Sequence, residues 1–317
     1  MKRRDFLRTT GALAGLALWP GQSAGMSPAA AQDARLLKIA LTPGSIGVSV
    51  GSQLELNALA HRHRYDAVEP RAAELAGLSA TEIDELLADL ADRQLVWAAA
   101  GLSVNFRDDD AVYRKGLADL PRIAAGLQRA GVTRVGTWIT PASDTLTYRQ
   151  NFDLMTRRLR EVTTVLRDHG LRLGLEYIGT QRVLVGRRYP FVHTLAETRE
   201  LIAAIGTGNV GLVLDTWHWH TAGETVDDLL ALSNADVVSV DLNDAPADIE
   251  KRDLRDNRRE LPGATGVIDV GGFLGALRRI GYDGPVRPEP FNQALNAMDN
   301  DLACAVASEA LHRVVGA

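Results

Sequence analysis

The chain is poor in several residue types, and each shortage removes a class of function. One cysteine, Cys304, stands among 317 residues. Neither an internal disulfide nor a cysteine metal cluster can form from it, and its apolar neighbours in a late helical stretch place it in the core. Lysine occurs four times, as Lys2, Lys38, Lys115 and Lys251. None ends a predicted strand, which argues against Schiff-base chemistry. No glycine-rich phosphate loop is present: the TPGSIG that follows the first apolar run is not GxGxxG. The net charge of -5 withholds the basic footprint of a general nucleic-acid binder. No stretch after the N-terminus has the roughly 20 consecutive apolar residues of a membrane span, so no stable membrane anchor is expected.

What is present begins with an unusual N-terminus. Arg3-Arg4 is followed by Asp5-Phe6-Leu7-Arg8, a short apolar run from Gly11 to Trp19, and the small residues Ala29-Ala30-Ala31. The run is too short to span a bilayer, and the three parts together have the order of a twin-arginine signal. The expected organisation is a signal peptide over 1–31 and a single domain over 32–317. The mature protein is then periplasmic, folded before export, with the twin-arginine machinery as a transient partner.

Composition beyond that point is globular: 46% hydrophobic and 24% charged. Short apolar runs alternate with long amphipathic ones. Strands are predicted at 36–44 (LLKIALTPG), 65–70 (YDAVEP), 95–106 (LVWAAAGLSVNF), 134–141 (RVGTWITP), 171–179 (LRLGLEYIG), 210–218 (VGLVLDTWH), 236–244 (DVVSVDLND) and 285–292 (PVRPEPFN). A helical pattern follows each one. Eight strand–helix units in strict alternation predict an α/β fold, a (β/α)8 TIM barrel, in one domain of ordinary size. A doubly wound sheet is the rival, weakened by the missing glycine-rich turn.

Active sites of such barrels lie where strands end and βα loops begin, and here those ends are acidic. Strand five ends in Glu176, strand six in Asp215, strand seven in Asp241 and Asp244, strand eight in Glu289, and strand two adds Glu69. Carboxylates directly after runs such as LGL, LVL and VSV would repel one another and lose solvation unless a cation joined them. A divalent metal is the economical explanation. Single acids such as Glu69 or Asp244 could equally cap a helix or pair with arginine. His218, three residues beyond Asp215, can face the same mouth. Trp138, Trp217 and Phe291 adjoin strand ends and offer apolar faces for a sugar ring, or ordinary core.

At these residues the sequence resembles the sugar phosphate isomerase/epimerase superfamily, the xylose-isomerase-like barrels that include AP endonuclease family 2. The resemblance runs from LKIALTPG to PVRPEPFN, and its most specific pieces are GLEYIG, LVLDTWH, LNDAP, RRELPGATGVID and GYDGPVRPEPFN. It implies that Glu176 and Glu289 are metal ligands that also flank the substrate as acid and base. It further implies Asp215 as a ligand, His218 on a substrate oxygen and Arg259, ahead of its neighbour Arg258, in contact with substrate. Glu69, Trp138 and Trp217 complete the expected substrate side.

One departure from the family pattern matters. Its HxxD motif at the end of strand seven here reads Asp241-Leu242-Asn243-Asp244. With Asp241 as fourth ligand the site is nearly all oxygen, which favours Mn or Mg over Zn; paired instead with an arginine such as Arg259, Asp241 leaves the metal three carboxylates and water. PGATG also holds one residue more than the usual PGxG.

The expected activity is isomerisation or epimerisation of a non-phosphorylated sugar or keto-sugar, by proton transfer through an enediolate. A metal-dependent lyase, eliminating water or a glycosidic group from a keto-sugar, is the alternative among enzymes; a non-catalytic sugar-binding barrel is the alternative outside them. The expected partner is a small-molecule carbohydrate, with no nucleic acid, and a homo-oligomer stays open.

Overall fold

A computed structural model describes residues 37–316; the expected export signal lies outside the described residues. The strands, in chain order, are β1 (Ala40–Leu41), β2 (Ala67–Val68), β3 (Val96–Trp97), β4 (Ala100–Gly101), β5 (Arg134–Trp138), β6 (Ala142–Ser143), β7 (Arg172–Glu176), β8 (Tyr189–Pro190), β9 (Val210–Asp215), β10 (Val237–Leu242) and β11 (Val286–Pro288). The helices are α1 (Gln53–Arg62), α2 (Ala72–Leu75), α3 (Ala80–Asp92), α4 (Asp110–Arg129), α5 (Tyr148–Asp168), α6 (Leu195–Ile205), α7 (Thr216–Ala222), α8 (Val226–Leu230), α9 (Val270–Arg279), α10 (Gln293–Asn296) and α11 (Asn300–Val315).

All pairings around the ring are parallel. One sheet runs β1-β2-β3 and another β11-β10-β9-β7-β5-β4, and a parallel bridge between Ile39 and Val286 joins β1 to β11. The predicted third strand, 95–106, is divided into β3 and β4. Ala98 N–H still reaches the carbonyl of Val68 at 2.9 Å, whereas Leu102 N–H reaches that of Gly136 at 3.0 Å. The strand therefore changes partner as the sheet curls. Counting β3 and β4 as one position, eight positions close the circle, and the fold is a (β/α)8 barrel. Every strand is shorter than predicted, and strands one, two and eight keep only two or three residues each. Pro285, Pro288 and Pro290 remove backbone donors around β11.

Local chemistry starts the helices where the sequence suggests. Ser79 and Glu82 form a capping box on α3, as do Thr147 and Gln150 on α5. Inside the barrel, Gly174 permits close packing: a Cβ there would lie 2.8 Å from Val213 Cγ2 and 3.0 Å from Val238 Cβ. Leucines and valines of the same strands, such as Leu173, Leu175, Leu212 and Val240, are fully or almost fully buried. The interior is thus a packed core, and only the carboxyl ends of the strands are free to carry chemistry. A small antiparallel pair, β6 with β8, lies outside the ring and was not legible as strand. Among the described residues no helix is long and apolar enough to cross a membrane.

Candidate metal centre and active site

Register brings the acids together. Asp241 of β10 is the Cα partner of both Asp215 on β9 and Arg287 on β11, and Trp138 of β5 is the partner of Glu176 on β7. Glu289 follows β11 directly, its N–H donating to the carbonyl of Leu242 at 3.1 Å. One oxygen each of Glu176, Asp215, Asp241 and Glu289 can be chosen so that all lie within 4.8 Å of one another. Glu176, Asp215 and His218 form an overlapping group of the same kind.

Two arginines share this cluster, Arg259 buried and Arg287 partly buried. Arg259 NH1 donates to Asp215 Oδ2 at 2.8 Å and to Glu289 Oε2 at 3.2 Å. Its NH2 donates to Asp256 Oδ1 at 2.9 Å, and its Nε to the Asp256 carbonyl at 2.8 Å. Arg287 donates through Nε and NH2 to the two oxygens of Asp241. Asp241 therefore pairs with an arginine of the neighbouring strand, and Arg259 directs its donors at Asp215, Glu289, Asp256 and His218. Fully ionised, the four clustered carboxylates and Asp256 would carry five negative charges against the two positive ones of Arg259 and Arg287, an excess that a divalent cation would reduce.

Burial sets the proton affinities. Glu176 is held well above the usual carboxylate range, first by burial and then by the charges of Glu289, Asp215 and Asp241. Glu289 is likewise pushed well up by burial and by Asp241. Burial raises Asp241 too, with Arg287 opposing. For Asp215 the upward push of burial is outweighed by Arg259, His218 and the Trp217 N–H, so its carboxyl lies below the ordinary value. Glu176 Oε1 is buried without a hydrogen-bond partner. An orphaned buried oxygen beside three further carboxylates is the donor set of a divalent-cation site, and the residues fit such an ion.

Asp215 also positions His218. Its Oδ1 accepts from Trp217 N–H at 2.6 Å and starts α7, which carries His218 over the cluster. Gly179 makes room: a Cβ there would fall 2.4 Å from the His218 carbonyl. Gly179 N–H approaches His218 Nδ1 at 3.3 Å, and the Arg259 NH2 group approaches its Nε2 at 3.2 Å. That nitrogen lies 3.6 Å from Asp256 Oδ1 and 3.8 Å from Glu176 Oε1. Burial lowers the ring to about 4, so it is neutral at ordinary pH.

Glu176 and Glu289 of the cluster form the floor of a cavity of about 280 Å³, near the lower end of small-molecule sites. Glu176, His218, Asp256, Arg259 and Glu289 supply its polar part, and Trp138, Pro141, Ile178, Val183 and Phe291 its apolar walls. Trp138 is 44% exposed, with Arg107 stacked 4.2 Å from its ring centroid. Phe291 holds a positive φ of 39°, a conformation rare outside glycine and often kept at functional sites.

Two expected substrate contacts are placed differently. Trp217 is fully buried, its Nε1 donating to Thr180 at 2.8 Å. It backs the Arg259 guanidinium and offers no face to a ligand. Glu69 is absent from the cavity wall; burial raises its proton affinity, and Arg287 opposes that shift. Asp244 is structural: its carboxylate accepts from the N–H groups of Ala245, Thr265, Gly266 and Ile268, and so fixes the loop around PGATG. Asp256 and Arg287 were missed. A charge within a strand buried on both faces demands a partner, and that signal was available for Arg287.

Residues 58–308 match the model of the xylose isomerase-like TIM barrel family. The chain belongs to that family. It is similar to a xylose isomerase domain protein from Alicyclobacillus acidocaldarius, with 31% identity, a TM-score of 0.76 and coverage of 88% of this chain and 98% of the other. Inosose isomerase from Bacillus velezensis is 24% identical over 262 residues, which cover 81% of this chain and 90% of the relative. A solved structure of the IOLI protein with a bound zinc atom shares the fold at 20% identity and TM-score 0.72, over 88% of this chain and 98% of the other.

Proposed function

We propose that the protein is a divalent-metal-dependent sugar isomerase or epimerase that moves a proton on a non-phosphorylated sugar or keto-sugar. The observation that carries this reading is the pair Glu176 and Glu289, two carboxyls of raised proton affinity on one cavity floor. The inosose isomerase relative supports the isomerase class.

A divalent ion held by Glu176, Asp215, Glu289 and Asp241 would supply Lewis acidity, lowering the barrier to removing a carbon-bound proton beside a carbonyl. Within the cavity one glutamate removes the proton and the other returns it. His218, in the cavity wall, binds a substrate oxygen. Arg259 holds Asp215 and Glu289 in place, and Trp138 and Phe291 exclude water from the ring's apolar face. The all-carboxylate donor set favours Mn or Mg. Arg3-Arg4 and the short apolar run behind it support twin-arginine export to the periplasm, where phosphorylated sugars are scarce.

The test is a panel of keto-sugars and glycosides offered to Mn-loaded protein in deuterated water. Solvent deuterium at one carbon of a product of unchanged skeleton, abolished by EDTA, is the expected result. A product lighter by water or by an aglycone would replace this reading with the lyase. Exchange that survives complete metal removal would end the metal-dependent mechanism.

A further inference from the structure

Two recesses flank the acid cavity, and both are basic. One, of about 480 Å³, is lined by Arg255, Arg258, Asn257, Asn292 and Gln293 with a single acid, Glu260, and shares Arg259 and Phe291 with the cavity. The other, of about 430 Å³, is lined by Arg182, Arg255 and Asn257 and shares Val183 and Asp256 with it. Arg255 belongs to both.

Nearby acids are already engaged. Asp253 faces Arg182 and Arg252 at 3.6 Å each, Asp256 holds Arg259 at 2.9 Å, and Glu260 accepts from Asn292 Nδ2 at 3.1 Å. Arg255 and Arg258 are exposed, and among the described residues neither makes a side-chain hydrogen bond or an ion pair. Two uncommitted guanidinium groups thus line the approach to an acidic floor, on a chain of net charge -5. Their forked donors match a carboxylate, and the side amides of Asn257 and Gln293 add neutral donors beside them.

We propose that the larger recess receives a carboxylate on the substrate, so that the site selects a sugar acid over a neutral sugar. The two surfaces divide the work by charge. A carboxylate is attracted by Arg255 and Arg258, while the neutral hydroxyl and carbonyl oxygens are left for the cavity, so the charge fixes which end of the ring enters. The sugar ring then lies against Phe291, the wall common to both spaces, with its reacting carbon over the glutamates. This assignment rests on the isomerase reading for the identity of the ring, but its electrostatics can be measured without turnover.

The experiment is calorimetric binding of glucuronate, glucose and glucose 6-phosphate to the metal-loaded protein and to an Arg255→Gln/Arg258→Gln variant. Both positions are exposed, so the fold is retained, and the melting temperature serves as a control. Glucuronate should bind about tenfold more tightly than glucose, a difference of about 1.4 kcal/mol. The advantage should shrink in 0.5 M salt and vanish in the variant, while glucose is unaffected. Equal binding of glucuronate and glucose, or no binding by either, overturns the proposal, as does a preference that survives in the variant. A larger preference for glucose 6-phosphate overturns the choice of carboxylate. Deuterium exchange on neutral sugars without anion preference sinks the recess and spares the isomerase. Anion preference with no exchange on any substrate does the reverse.

Discussion

Arg287 clasps both oxygens of Asp241 across neighbouring strands, and Asp241 is also the register partner of Asp215. The pair occupies the position where the resembling family carries a histidine. A carboxylate oxygen has two lone pairs, so Asp241 can accept from Arg287 and still present an oxygen to an ion. Burial raises the proton affinity of that carboxyl, and the salt bridge opposes the rise without cancelling it.

The first prediction follows from this clasp. Asp241→Asn removes a full charge from the site, and titration of the apo protein should show Mn or Mg affinity falling by about tenfold or more. Asp241→His restores a ligand of softer kind, and selectivity should move towards Zn or Co. Unchanged affinity in Asp241→Asn would remove this residue from the coordination sphere and leave its bond with Arg287 as its whole role.

Glu289→Gln is the test of acid–base work. The amide keeps the side-chain shape and can still accept from Arg259, but it cannot take a proton. Turnover should drop by about 100-fold or more, with metal affinity also lowered. Single-turnover measurements at saturating metal separate the two effects. Wild-type turnover there would exclude Glu289 from proton transfer.

The barrel and four of its strand-end acids were legible because both rest on repetition: apolar runs of strand length, each followed by a helical period, and a carboxylate where the run stops. What escaped depends on distances in space. Nothing in the sequence tells whether Trp217 points into the mouth or behind Arg259, because it follows Asp215 into a helix whose rotation the cap decides. Asp256 lies in a loop without periodicity and reaches the site only because Arg259 folds back over it. Arg287 could have been found, since β11 has neighbours on both sides and a cation there must be paired.

Export gives a prediction independent of the chemistry. Arg3→Lys/Arg4→Lys keeps the charge and removes the paired guanidinium groups that a twin-arginine receptor reads. The variant should accumulate as precursor in the cytoplasm, as fractionation with an antibody would reveal. Normal periplasmic accumulation of the processed protein would discard the signal assignment.

The last prediction concerns Glu224, outside the cavity but joined to it through the chain. Its carboxylate accepts from the Tyr177 hydroxyl, the residue after Glu176, and from Leu195 N–H at 2.7 Å at the start of α6. Burial outweighs both hydrogen bonds and lifts the carboxyl to about 7. A carboxyl whose proton affinity is raised by folding favours the native state in its protonated form. Stability from this group is therefore fully present below about pH 4.5, its ordinary value, and declines as pH rises towards 7, where the folded protein ionises. Glu224→Gln keeps acceptor and shape but cannot ionise. Between pH 5 and pH 8 the melting temperature of the wild type should fall relative to that of the variant, and above pH 7 the variant should be the more stable of the two. Parallel curves across that interval would mean that Glu224 is solvated or already ionised, and that its link between α6 and the strand bearing Glu176 does not depend on a proton.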